Sequence, residues 1–118
     1  MLILIADDEL KVRSALRLLL KQEEDLHVVG EAVDLQSLLS LAGSFQPDLI
    51  LLDLELPGLQ PALHLLNLQQ SLPSSRIIAL SGRSSSHDIP LRTGIDAFVS
   101  KGDPPERVLA AIYQRAKK

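Results

Sequence analysis

The sequence predicts an α/β fold: a five-stranded parallel sheet with helices on both faces. Three observations carry this expectation. Short continuous apolar runs recur along the 118 residues, the pattern of strands buried on both faces. Between these runs, apolar residues repeat at helical spacing. No linker, repeat or charge block interrupts the alternation, so βαβαβαβαβα reads as one domain over 1–118, with right-handed crossovers.

The elements follow in order. Leu2–Ala6 is the first apolar run, and Val12, Ala15, Leu16, Leu19 and Leu20 then mark a helix face. Val28-Val29 leads a shorter second strand. Asp34 is placed to cap a helix whose buried face is Leu35, Leu38, Leu39 and Ala42. Residues 48–52 form the third strand, ending at Asp53, and Pro57-Gly58 signals a turn. A helix starting near Pro61 carries Leu63, Leu65 and Leu66 inward. Residues 77–80 and Ala97-Phe98-Val99 are the fourth and fifth strands. Asp103-Pro104-Pro105-Glu106 reads as a helix start with Asp103 as N-cap, before a face of Val108, Leu109, Ile112 and Ala116.

Composition narrows the class. The chain is 46% hydrophobic and only 3% aromatic, so the core is aliphatic, and the length suffices to bury it without staples. No cysteine is present, which excludes a disulfide framework or a thiolate zinc site. His27, His64 and His87 form no metal-spaced pair. A net charge of −3 gives no general attraction to nucleic acid, and nothing here reads as a DNA-binding motif. No run reaches membrane-span length, and the first six residues lack a basic leader, so a cytoplasmic protein is expected.

Four apolar runs end in chemically useful residues: Asp7-Asp8, Asp53, Ser81 and Lys101. In a parallel sheet these positions share the carboxyl edge, where open α/β sheets place their sites. Taken singly, each has a plain structural use: a cap, a turn former or an exposed lysine. Taken together, three carboxylates at one edge repel one another and need a cation. Oxygen ligands of this kind suit Mg²⁺, and the hydroxyl and ammonium suit a phosphoryl group.

This constellation resembles the receiver domain of two-component response regulators, with the CheY-like, flavodoxin-type fold. The acid pair, Asp53 with Leu56-Pro57-Gly58 downstream, Ser81 and Lys101 stand in the family's order across essentially the whole chain. Val28-Val29-Gly30-Glu31-Ala32 and Lys101-Gly102-Asp103-Pro104 are most similar to receivers of the NarL/FixJ type. The resemblance implies strand order 2-1-3-4-5 and Asp53 as phosphoacceptor for a sensor histidine kinase. It implies Mg²⁺ on Asp8 and Asp53 directly, on Asp7 through water and on the Glu55 backbone carbonyl. Lys101 and Ser81 would hold the phosphoryl group, Glu55 and Arg83 would tune its lifetime, and Ser81 and Phe98 would form the switch. Such relatives carry a C-terminal DNA-binding output domain, and Arg115, Lys117 and Lys118 could open a linker to one. The domain is then a switch assisting its own phosphorylation and dephosphorylation, rather than a turnover enzyme.

Two departures stand out. Gln60-Pro61 replaces the family's usual Asp-Gly, which stiffens the loop beside the site. The stretch from Ser81 to Lys101 is shorter than usual and contains Pro90, which costs a helix interior about 3 kcal/mol. A short, displaced or irregular helix is expected there, with an output surface moved to the first and last helices or a different homodimer. Two other readings remain: an interaction or dimerisation module never phosphorylated in the cell, and a small metal-dependent phosphatase.

Overall fold

The computed structural model describes residues 1–82 and 95–116, the last three as backbone only. In chain order the elements are β1 (Leu2–Ala6), α1 (Leu10–Lys21), β2 (His27–Ala32), α2 (Leu35–Phe45), β3 (Leu49–Asp53), α3 (Pro61–Ser71), β4 (Arg76–Ser81), β5 (Ala97–Ser100) and α4 (Glu106–Ala116). The five strands form one parallel sheet in the order β2-β1-β3-β4-β5, as expected. The expected helix between β4 and β5, with Arg83, His87 and Pro90, lies outside the described residues, as do Lys117, Lys118 and the Arg115 side chain.

The sheet separates two aliphatic layers. Leu4, Ala6, Ile50, Leu52, Ile77 and Ala79 face α2 and α3, while Ile3, Ile5, Leu49, Leu51, Ile78 and Leu80 face α1 and α4. This alternation is the period of a strand, and because both faces are covered every position in β3 is buried. Helix α1 contributes Leu16 and Leu20 to its layer. Each such burial stabilises by roughly 1.5–3 kcal/mol, so Leu20→Ala would open a cavity under the strand that carries Asp7.

Local chemistry sets the helix ends. Asp34 caps α2 as expected: its carboxylate accepts from Ser37 N at 2.8 Å, while Ser37 Oγ accepts from Asp34 N at 3.2 Å. Gly58 follows Pro57 at φ 86°, and a Cβ there would sit 3.2 Å from Leu35 Cβ, so this turn needs glycine. Pro61 occupies the first turn of α3, where its missing N–H costs nothing.

Three sequence expectations need correction. In α3 the buried residues are Leu65 and Leu68, with Leu63 57% and Leu66 46% exposed. The segment Leu63-His64-Leu65-Leu66-Asn67-Leu68 has leucines on several sides, so its pattern does not fix the inward face. In α2, Leu39 points outward and Leu38 with Ala42 forms the core face. The last helix begins at Glu106, three residues beyond Asp103, because the two prolines occupy a tight turn closed by Arg107 N to Pro104 O at 2.9 Å. Asp103 instead lies 3.8 Å from Arg107, an exposed pair of little energetic weight.

Candidate functional site

The carboxyl edge of the sheet gathers the expected residues. Asp7 follows β1, Asp53 ends β3, Ser81 ends β4 and Lys101 follows β5. Asp7, Asp53 and Ser81 are buried, whereas Asp8 is exposed at the rim. One carboxylate oxygen from each of Asp7, Asp8 and Asp53 can be chosen so that all three lie within 4.8 Å of one another.

Backbone turns orient two of these acids. Asp7 Oδ1 accepts from Glu9 N at 2.8 Å, and Asp53 Oδ1 accepts from Glu55 N at 2.9 Å. Each carboxylate thereby uses one oxygen to pin the loop that follows it and turns the other toward the centre. There Lys101 Nζ lies 2.7 Å from Asp7 Oδ2 and 3.4 Å from Asp53 Oδ2. The Asp7 contact is close but off-axis, and this fully buried oxygen accepts no well-directed hydrogen bond. Such an atom is expensive to leave unmatched.

Charge and burial work against each other here. Burial first, and then the Asp7 charge, raise the Asp53 pKa above its ordinary value, outweighing the Glu55 N–H bond and Lys101. For Lys101, burial alone would lower the pKa, but the contact with Asp7 and the Asp53 and Asp7 charges raise it, so the ammonium stays charged. One partly buried cation faces a cluster of carboxylates, and Asp7 Oδ2, ion-paired with Lys101 but without a well-directed hydrogen bond, adds a ready acceptor. Oxygen donors with excess negative charge fit a hard divalent cation.

Ser81 donates from Oγ to Glu55 Oε2. Glu55 therefore meets the site through its side chain as well as its backbone N–H. Phe98 is half-buried against the core on the α2–α3 face. It pairs across the ladder with Ala79, two residues before Ser81, so Phe98 and Ser81 stand on the same face of the sheet. Arg83 lies outside the described residues.

Two contributors escaped the sequence reading. Glu9, directly after the acid pair, reaches Lys101 at 3.5 Å while remaining 63% exposed. The Asp-Asp-Glu run was the available signal for it. Arg13 donates to the Asp7 backbone carbonyl at 2.9 Å, a contact six residues along the chain that no side-chain pattern announces.

Comparison with known proteins agrees with this geometry. The response regulator receiver domain family profile matches residues 3–113. The Escherichia coli K12 nitrate/nitrite response regulator NarL is 36% identical over 116 residues, covering 97% of this chain and 54% of that protein. The nitrate/nitrite response regulator NarP of the same organism is 33% identical, covering 98% and 54%. The chain thus spans about half the length of the curated relatives it matches. Among solved structures, RcsB from Salmonella enterica serovar Typhimurium, bound to promoter P1flhDC in the presence of phosphomimetic BeF3⁻, superposes with a TM-score of 0.88 at 27% identity, covering 99% of this chain and 60% of RcsB. The signal receiver domain of the putative response regulator NarL from Mycobacterium tuberculosis shares the fold, with a TM-score of 0.87 at 24% identity over 98% of this chain and 95% of that one. The chain belongs to the response regulator receiver domain family of two-component signalling.

Proposed function

We propose that residues 1–118 form one receiver domain in which Asp53 accepts a phosphoryl group from a sensor histidine kinase. The observation that carries this reading is the convergence of Asp7, Asp8, Asp53 and Lys101 at one sheet edge, with Asp53 held ready by the Glu55 N–H. The Asp53 carboxylate attacks the phosphorus of a phosphohistidine. The donor's P–N bond breaks, its electron pair leaves with the imidazole, and an acyl phosphate forms on Asp53. Lys101 faces the equatorial oxygens and offsets their charge, so catalysis is positioning and electrostatics. Water later attacks the phosphorus, the P–O bond to Asp53 breaks, and inorganic phosphate leaves with the carboxylate restored, making the domain a self-resetting switch rather than a turnover enzyme.

The side chains of Asp7, Asp8 and Asp53, with the Glu55 backbone carbonyl, are the groups that would hold Mg²⁺. When bound, the cation neutralises negative charge on the phosphoryl oxygens and on the acids themselves.

In the switch, Ser81 releases Glu55 and donates to a phosphoryl oxygen, and Phe98 turns toward the space left behind. Differential affinity of phosphate and partner for the two arrangements then sets the output. NMR of the beryllofluoride-treated domain would show shifts around Phe98; unchanged Phe98 signals would exclude this switch.

By analogy with NarL, NarP and promoter-bound RcsB, the domain works in the cytoplasm and controls a DNA-binding output domain outside these residues, directly or through a homodimer. Among the described residues no helix is long and apolar enough to cross a membrane. Incubation with acetyl phosphate and Mg²⁺ followed by intact-mass measurement tests the assignment. A gain of one phosphoryl group that vanishes in Asp53→Ala is expected. No adduct would point to a constitutive interaction module, and turnover of an added phosphoester to a phosphatase.

A further inference from the structure

We infer that Arg13 is a positioning residue that holds the acid loop after β1 in its cation-binding shape; this rests on the metal reading above. The need for such a residue follows from where the sheet stops. Asp7 N still donates a ladder bond to Ala32 O at 2.9 Å, but β2 ends at Ala32. The next two N–H groups of that chain, Val33 and Asp34, both turn to Ser37 Oγ, at 3.0 and 3.2 Å. No strand N–H from them reaches the Asp7 carbonyl, and a buried carbonyl must find a donor elsewhere.

Arg13 supplies it. From the second turn of α1 its Nη1 donates to Asp7 O at 2.9 Å, while its Nε donates to Glu31 Oε1 at 2.8 Å. The side chain is only 13% exposed, so the guanidinium is fixed between the two acceptors. Its planar fork can serve both at once, which a lysine ammonium does less well. Glu31 also pairs with Arg17, which is 51% exposed and has no bond to Asp7 among the described contacts. Arg13 and Arg17 therefore share one carboxylate partner, but only Arg13 grips the residue whose Oδ1 accepts from Glu9 N and whose Oδ2 faces Lys101. Moving that backbone would displace Asp7 and Asp8 together.

The test compares Arg13→Gln with Arg17→Gln in the full chain. Bound Mn²⁺, a spectroscopic stand-in for Mg²⁺, is counted from the free-ion EPR signal, and exchange of the Asp8 and Glu9 amides is followed by NMR without metal. Arg13→Gln should weaken Mn²⁺ binding about 10-fold or more, the range for residues that orient metal ligands, and should speed exchange at Glu9. Arg17→Gln should leave both near their original values. Arg13→Lys, which keeps the charge, should show the same two losses and guards against a Gln variant that fails to fold. Unchanged Glu9 exchange in folded Arg13 variants, or equal losses in Arg17→Gln, would overturn the inference. If the unaltered protein binds no Mn²⁺, the metal reading fails, and the amide comparison still decides what Arg13 does to the loop.

Discussion

The two edges of the sheet use the same residue type in opposite ways. At the amino edge, Asp48 and Asp96 form matching clasps. Asp48 N donates to Leu2 O at 2.8 Å and its Oδ2 accepts from Leu2 N at 2.7 Å. Asp96 repeats this with Ile77, both distances being 2.7 Å. Each carboxylate satisfies an N–H at the start of a strand, and the two stand on different strand pairs. At the carboxyl edge, Asp7 and Asp53 are buried beside each other, with one oxygen of Asp7 left poorly matched. Stability alone accounts for the amino edge. The carboxyl edge is costly as it stands, and the proposed cation and phosphoryl group would account for that cost.

The largest test of this contrast is chemical. Asp53→Asn should abolish the phosphoryl adduct seen by mass spectrometry, whereas Asp48→Ala and Asp96→Ala should still form it. An adduct surviving in Asp53→Asn would erase the distinction between the edges.

Removing the central cation comes next. Breaking a fully buried ion pair costs several kcal/mol; with Lys101 18% exposed, Lys101→Met should destabilise the metal-free domain by about 2 kcal/mol. Urea unfolding with and without Mg²⁺ should show the deficit shrinking when Mg²⁺ is present, since an ion bound only by the folded form offsets the same repulsion. A deficit unaffected by Mg²⁺ would mean that the ammonium and the metal do not act on the same charges.

At the amino edge, Asp48→Ala should cost about 1 kcal/mol, the typical net worth of one hydrogen bond. The matching urea midpoint shift, with the phosphorylation rate unchanged, would confirm a purely structural role.

The smallest effect is in the pH dependence, and its sign separates acids within one protein. The Asp53 carboxyl is held above its ordinary value of 3.8 by burial and then by Asp7. Its contribution to stability is therefore full below that value and is lost as pH rises through the folded pKa. In EDTA, Asp53→Asn should gain stability over the unaltered protein across that window, read as a widening gap in urea midpoint. Glu31 carries the opposite sign. The hydrogen bond from Arg17, and then Arg13, hold its carboxyl below its ordinary range, so its contribution is lost as pH falls. A gap that narrows with rising pH would show that Asp53 is not the penalised acid.

The fold was legible because buried parallel strands write themselves as unbroken apolar runs, and the residue ending each run is conspicuous. That same punctuation exposed Asp7, Asp8, Asp53, Ser81 and Lys101. The face of α3 was not legible, since Leu63 with Leu66 and Leu65 with Leu68 form two opposed apolar stripes, either of which could face inward. The Asp48 and Asp96 clasps, the Arg13 grip and the Ser81–Glu55 bond were hidden for a different reason. Each depends on which strand lies beside which, or on the direction of a helix axis, and neither is written in local spacing.

The Lys101 contacts carry a consequence for folding. The ammonium bonds to Glu9 across 92 residues of sequence, and it meets Asp7 from still farther along the chain. Contacts of such separation form slowly, because the entropy of closing the intervening chain opposes them. A nascent chain that has released Asp53 but not yet β5 has this carboxylate without the ammonium that faces it. If Asp53 is the phosphoacceptor proposed above, competence to accept phosphate arrives only when β5 closes on β4, and modification of Asp53 doubles as a report that this edge of the sheet is in place.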